Sequence, residues 1–388
     1  MRTRSNTAAA RRLTLAFCLA VSGWLFLAAG LSAQDILEYS IQSRILKEAR
    51  KILISLPDDY RETDDQYPVL YVLDASSNFR VTLETVRYLD SYAFLPKMIV
   101  VGIRNSDRER DMTHRRSTML PDAGTSGGGS AFQLFLKKEL IPDIDQRYRT
   151  CPFRVLIGHS LAGLFSFNAF LNDPALFYGT IAVSPSLWWN HEEDIARVDG
   201  FIKDHPSLNN YLFVSFGNGE GPFVQPALEK LRSSFEAAHI DKLRFTFKHF
   251  PDENHITTYV SDVNSALFDL FFDQWVMRPK EVQGGLAAVQ AHFGNLEKRL
   301  GYKIRIPQTY LSGIGDYFRN DKNFDEAVKI HEYNIALHPK SAVLYVKLGD
   351  TYRVSGNAEK AIVCYKKALE LEPGLKKAQT ELDKLVKG

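Results

Sequence analysis

Between residues 36 and 276, short apolar runs alternate with helical patterns, and several of the runs are apolar throughout. Val69-Leu70-Tyr71-Val72-Leu73 and Met98-Ile99-Val100-Val101 are the clearest. A strand with one wet face alternates apolar and polar residues, so a continuous apolar run describes a strand covered on both faces. The expected strands are 37–43, 52–56, 69–73, 98–103, 154–157, 179–183, 211–216 and 245–250. The first two lie close together and alternate more, as an antiparallel edge hairpin does. Helical patterns fall between later strands, at 132–148, 161–172, 225–238 and 258–275. Strands separated by helices imply an α/β fold with a doubly wound, mostly parallel sheet.

Beyond Pro279 the strand pattern stops and the sequence reads as helical. Gly315 recurs as Gly349, and the same interval separates Phe318 from Tyr352, Ala327 from Ala361, and Pro339 from Pro373. Leu311 with Tyr345 and Ile314 with Leu348 keep the same register. A period of about 34 residues with glycine, aromatic, alanine and proline at these offsets is the tetratricopeptide pattern. Small residues let paired helices approach, and proline ends the second helix of each unit. Two repeats and a helix after Lys376 are short for a free-standing solenoid. A helix around 285–300 is therefore expected to cap them against the preceding domain. The expected organisation is an export segment at 1–33, an α/β domain at 34–279, a helical linker at 280–306 and an all-α repeat region at 307–388.

The N-terminal segment 1–33 reads as an export signal. Arg11-Arg12 precedes an apolar run from Leu13 to Leu31, and Ser32-Ala33 supplies small residues before Gln34-Asp35. Export to the periplasm or outside the cell is the expectation. An uncleaved anchor is the alternative, because the run approaches bilayer-spanning length. Formal net charge is +2. That near-neutral balance gives no electrostatic reason for nucleic acid or an anionic membrane as partner. Cys151 and Cys364 fall in different expected domains, which argues against a disulfide, and no Cys/His cluster has zinc-ligand spacing. Neither a metal nor a cofactor is expected.

The chemistry centres on Gly158-His159-Ser160-Leu161-Ala162-Gly163. It follows an apolar strand, Arg154-Val155-Leu156-Ile157, and precedes an apolar helix. That is the context of a nucleophile elbow in an α/β-hydrolase, with Ser160 on a strained turn that needs small neighbours. The competing reading is an ordinary glycine-rich turn in which Ser160 caps the helix. The fold orders its catalytic groups as serine, acid, histidine. His255, in Asp252-Glu253-Asn254-His255 after the last strand, is the expected base. His249 sits inside a strand pattern, and His159 is the variable elbow position, expected to point elsewhere. Glu220, the first carboxylate after strand 211–216, is the expected acid, with Asp252 and Glu253 as alternatives. An oxyanion hole needs two backbone N–H groups. Leu161 is expected to supply one, and Ala75, with Ser76 as alternative, the other. Trp188 and Trp189, at a strand exit, either line a substrate pocket or roof the core. Arg104 either binds an anionic substrate group or makes a surface salt bridge. The charged stretch Asp107–Asp111 and the loop Gly124–Ser130 read as a mobile surface excursion.

These segments resemble a known family. Val69-Leu70-Tyr71-Val72-Leu73-Asp74, Val100-Val101-Gly102-Ile103-Arg104-Asn105 and Leu140-Ile141-Pro142 carry the resemblance. So do Ile157 to Phe165, Ser184-Pro185-Ser186-Leu187-Trp188-Trp189 and Glu253-Asn254-His255. In order and coverage, residues 36–276 are similar to the putative esterase family of α/β-hydrolases, which includes enterochelin-type siderophore esterases and S-formylglutathione hydrolases. The resemblance implies nucleophile Ser160, base His255 and acid Glu220, acting on a small-molecule ester. The chain departs from the family at Ala75 and Ala162, where relatives often have glycine. The family's esters are diverse, so it implies ester chemistry and not a substrate. The rivals are an acyltransferase of the same fold, and an inactive hydrolase-fold protein that binds a protein or peptide partner through its repeats.

Overall fold

The computed structural model describes residues 36–119 and 124–387; the expected signal segment 1–33 lies outside them. Eight strands form one sheet: β1 (Leu37–Ser43), β2 (Glu48–Ser55), β3 (Tyr67–Val72), β4 (Ile99–Ile103), β5 (Thr150–His159), β6 (Gly179–Val183), β7 (Tyr211–Gly219) and β8 (Arg244–Asn254). Their order is β1-β2-β4-β3-β5-β6-β7-β8. β1 pairs antiparallel with β2, as the edge-hairpin reading expects, and β2 antiparallel with β4. Every other pairing is parallel.

Parallel pairing sends the C-terminal ends of β3 to β8 to one edge of the sheet. From β3 the chain moves to β4 on one side, then returns to β5 on the other. The strand order thus reverses at the gap between β3 and β5, where ligands bind in open α/β sheets. The turns that open on this gap are Asp74-Ala75 and His159-Ser160-Leu161.

The sheet is covered on both faces, as the apolar runs require. On one face, α1 (Ala75–Ser91) and a helix over Thr258–Trp275 pack on Leu70, Val72, Val155, Ile157, Ile181 and Phe213. On the other, α2 (Leu161–Asn172) and the helical stretch Gly129–Arg147 cover Tyr71, Val101 and Leu156. α3 (Val224–Ala238) adds a second cluster on that side with Leu212, Val214 and Phe216. The stretch Gly129–Arg147 holds one turn of π-helix, Leu136–Leu140, just before Pro142, whose missing N–H removes a regular helical bond there. The helix Thr258–Trp275 is α4.

The C-terminal helices are α5 (Gly285–Leu300), α6 (Gln308–Asn320), α7 (Phe324–Leu337), α8 (Ala342–Val354), α9 (Ala358–Leu371) and α10 (Lys376–Lys387). The repeat is carried through atom by atom. Asn323 and Asn357, one period apart, each accept a hydrogen bond from the amide three positions on, at 3.3 and 3.1 Å, as N-caps do. Gly315 lies beneath the ring of His331, and Gly349 beneath Tyr365, so that a methyl group at either glycine would press into the ring.

The first repeat is continuous with the core beneath the sheet. Trp275, Val289, Phe293, Leu296 and Leu300 pack with Leu311, Ile314, Phe318, Ala327 and Ile330 in the same apolar cluster as Leu70 and Val155. Arg305 pairs with Asp65 at 2.8 Å, and the Met277 amide donates to the Tyr310 hydroxyl at 2.9 Å. The second repeat and α10 form a separate cluster around Val346, Tyr365, Ala368 and Ala378. Cys151 and Cys364 are both free and buried. Among the described residues, no helix is long and apolar enough to cross a membrane.

Candidate active site

Ser160 stands between the last residue of β5 and the first of α2 with φ 62° and ψ −120°. A non-glycine residue adopts such a backbone only where its surroundings impose it. The Ser160 amide donates to the Val183 carbonyl at 3.0 Å, and the Ser160 carbonyl accepts from the Ser186 amide at 3.1 Å. The closeness of the turn shows at Gly158, where a Cβ would collide with the carbonyl of Ala162. At Gly163 a Cβ would come within 2.9 Å of the Val183 carbonyl oxygen. The Ser160 side chain makes no capping bond to α2, so the plain helix-cap reading does not describe it.

Its hydroxyl instead faces a histidine. His255 Nε2 lies 3.0 Å from Ser160 Oγ, and His255 Nδ1 lies 2.6 Å from Glu220 Oε2. A carboxylate only accepts, so Nδ1 carries the proton and Nε2 is left to accept from the serine. Glu220 reaches this histidine because β7 and β8 run further than their apolar segments. Gly219 pairs with Asn254 across the two strands, which sets the next residues, Glu220 and His255, side by side. The close approach also requires Gly217 and Gly219, because side chains there would press on Glu253 and Asn254.

The Glu220 side chain is 3 % exposed and that of His255 34 %. Burial by itself would raise the Glu220 carboxyl, but hydrogen bonds from His255 and the Gly217 amide help to outweigh it and hold the group below its ordinary value. The alternatives lie elsewhere. His249 bonds Asn218 at 2.7 Å on the exposed end of β8, Asp252 is exposed, and Glu253 accepts from Ser261.

Leu161 and Ala75 are each the first residue of a helix that starts at the switch gap, and their amides make no hydrogen bond to another described residue. Asp74, before Ala75, has φ 51° and is held by its side chain. Asn105 donates to it, and Arg108 donates through Nε and Nη2 at 3.0 and 2.9 Å. Arg108 Nη2 also donates to the His159 carbonyl at 3.3 Å. Arg108 belongs to a short helix, Arg108–Met112, anchored by a fully buried pair, Arg50 and Asp111, at 2.7 Å. The expected mobile surface excursion is therefore corrected over Asp107–Thr113, where Asp111, Met112 and Thr113 are inaccessible to solvent.

Other expected site residues fall as follows. Arg104 pairs with Glu38 at 3.1 Å at the β1 edge, the salt-bridge reading rather than the substrate-binding one. Trp189 is 3 % exposed and belongs to the core cluster with Leu187 and Phe216, so of the two tryptophans only Trp188 keeps an accessible edge. Ser186, which sequence reasoning passed over, brings its hydroxyl to 3.5 Å from Ser160 Oγ. His159 does not point away: its Nε2 lies 2.6 Å from the carbonyl oxygen of His255. Arg108 was hidden within a run of charges, and its only sequence cue is the asparagine and aspartate that precede it. No group of three or more His, Cys, Asp and Glu that could hold a metal occurs among the described residues.

The strand order, the strained turn after β5 and the turns gathered at the switch point define an α/β-hydrolase. Residues 43–230 match the family described as putative esterase, and residues 342–375 match a tetratricopeptide repeat. The ferri-bacillibactin esterase BesA of Bacillus subtilis is 29 % identical over 226 residues, covering 52 % of this chain and 78 % of the relative. The siderophore enterobactin esterase of Emericella nidulans is 26 % identical over 206 residues, covering 46 % and 68 %. In fold, the chain is similar to an IroE-like serine hydrolase from Shewanella oneidensis, with TM-score 0.69 and 24 % identity, over 77 % of this chain and 99 % of that one. Residues 43–230 thus match the putative esterase family without spanning half of the chain, and the chain is a carboxylic-ester hydrolase carrying a C-terminal tetratricopeptide region.

Proposed function

We propose that the chain hydrolyses carboxylic esters of small molecules through an acyl-enzyme, with Ser160 as nucleophile, His255 as base and Glu220 as acid. The observation that carries this reading is the hydrogen-bonded line Glu220–His255–Ser160, at 2.6 and 3.0 Å. His255 takes the serine proton as Oγ attacks the ester carbonyl, then gives it to the leaving alcohol. Water enters on the same face and loses a proton to His255 as its oxygen attacks the acyl carbonyl; the acyl–Oγ bond then breaks and His255 returns the proton to Ser160 Oγ. Glu220 holds the imidazole in the required tautomer and offsets the charge it gains. The amides of Leu161 and Ala75 receive the negative charge that develops on the carbonyl oxygen. Alanine at 75, in place of glycine, does not impair this role, because the backbone amide is the donor.

Siderophore esters are the substrate class we place first, since two relatives are named for them. Trp188, the tryptophan with an accessible edge, is the candidate substrate contact of the two. The expected segmentation, with an exported hydrolase domain at 34–279 and repeats from 307, belongs to the same proposal. Purified protein should hydrolyse p-nitrophenyl acetate, and Ser160→Ala should lower kcat by about 10³-fold or more. Unchanged turnover in that variant would refute the assignment. A screen of siderophore, aryl and alkyl esters, with alcohol acceptors present, would define the substrate and separate hydrolysis from acyl transfer.

A further inference from the structure

We infer that His159, the residue between Gly158 and the nucleophile, is a positioning residue: its ring N–H ties the loop carrying the catalytic base to the nucleophile elbow. The inference rests on the Ser160–His255–Glu220 reading above and concerns a group outside that line.

His255 lies beyond the end of the edge strand β8, on a loop whose flanking residues Asn254, Ile256 and Thr257 are exposed. Loops of this kind move unless something fixes them. Glu220 fixes the His255 ring from one side, and Asn254 closes the turn locally: its amide donates to Thr257 Oγ1 at 3.0 Å and its Oδ1 accepts from the Ile256 and Thr257 amides at 2.9 and 3.1 Å. None of these bonds ties the backbone of the turn to the nucleophile elbow; His159 supplies that tie. Its Nε2 lies 2.6 Å from the His255 carbonyl oxygen, and the two rings pack at 4.7 Å between centroids. The ring of Tyr259, a buried residue of α4, stands at a steep angle to that of His159 with centroids 5.7 Å apart, and limits its rotation.

A carbonyl oxygen only accepts, so His159 Nε2 must carry a proton. Burial, with the neighbouring His255 adding to it, lowers the His159 pKa to about 4. The ring is then neutral through the pH range in which His255 must act as a base. It donates to the loop without placing a second positive charge beside the imidazolium formed in the reaction.

The clamp extends to a third turn. The His159 carbonyl accepts from Arg108, whose guanidinium holds Asp74 ahead of Ala75. One residue therefore joins the base loop through its ring and the post-β3 turn through its backbone, while its C-terminal neighbour is the nucleophile. A misplacement of about 1 Å between reacting groups costs about 10²-fold in rate, so a clamp at this point acts on kcat.

The test compares His159→Gln, which keeps an N–H donor, with His159→Phe, which keeps a flat ring and loses it. With a p-nitrophenyl ester, His159→Phe should lower kcat about 10- to 100-fold with KM unchanged within about twofold. His159→Gln should recover most of that loss. Wild-type kcat in His159→Phe, or equal losses in both variants, would overturn the proposal. If the variants fail to fold, nitrogen-detected NMR of ¹⁵N-histidine-labelled wild-type protein decides. The proposal requires the Nε2–H tautomer for His159 at pH 7; an Nδ1–H tautomer or a charged ring refutes it. Loss of turnover in Ser160→Ala alongside unaffected His159 variants would remove the clamp and leave the hydrolase reading standing. Unaffected turnover in Ser160→Ala would remove that reading itself.

Discussion

At the level of single residues, Glu220 ties the site to pH. Its carboxyl is held below the ordinary value because hydrogen bonds from His255 and the Gly217 amide help to outweigh the cost of burial. A carboxyl depressed in the folded state contributes stability that is complete above its unfolded value, near 4.5, and is lost as pH falls through the lower folded value. Glu220→Gln should therefore unfold at lower urea than wild type at pH 6, and the gap should close as the solution is acidified below about pH 4.5. A gap that widens on acidification would contradict the account. The same variant should lower kcat by about 10²- to 10⁴-fold, because glutamine no longer fixes the tautomer through a charge. Glu220 itself was legible in the sequence, as the first carboxylate after an apolar strand. Its role beside His255 was legible too, but the strand pairing that brings the two together was not. Pro251-Asp252-Glu253-Asn254 reads as a loop, yet it continues β8 to pair with Gly219. A proline is tolerated there because β8 is the edge of the sheet and its outward N–H positions need no partner.

At the scale of elements, the turn from β5 to α2 was the most legible part of the molecule. Its apolar strand, glycine-flanked serine and apolar helix each require the others. Gly158→Ala tests that dependence, since the added methyl would meet the carbonyl of Ala162. Overpacking against backbone cannot be relieved by a side-chain rotation. The variant should lose about 2–4 kcal/mol of stability, read from denaturant unfolding; wild-type stability would show that the turn has room to open. The helix Arg108–Met112 was the least legible element. Its charges read as a solvated surface, while Arg50 and Asp111 form an ion pair with both side chains inaccessible to solvent. Sequence pattern alone cannot distinguish a buried pair from two exposed charges, because the partner of Asp111 lies far back along the chain, on β2.

For the whole molecule, the repeat period marked the paired helices but left open whether they fold apart from the hydrolase. The described chain from Ile36 onward is one compact unit. α5 and the first repeat share an apolar cluster with the underside of the sheet, including Trp275, Phe293 and Phe318. Ending the chain after Pro279 should expose that face and give insoluble or inactive protein. Ending it before α8 removes a separately packed cluster and should leave a soluble esterase. Soluble yield and p-nitrophenyl acetate turnover of the two truncations check this, and a fully active chain ending at 279 would contradict it. The charges between helices of the repeat region are largely paired with one another. Lys347 pairs with Asp316, Lys377 with Asp350, and Arg353 with Glu381 at 3.3 Å. These pairs hold helices of the repeat region to one another.

An activated Ser160 can be captured covalently. Folded full-length protein treated with a fluorophosphonate probe, then digested and mapped by mass spectrometry, should carry one label, on Ser160, with labelling slowed sharply in His255→Ala. Absence of label on folded protein, or a label on another serine such as Ser186, would contradict the account.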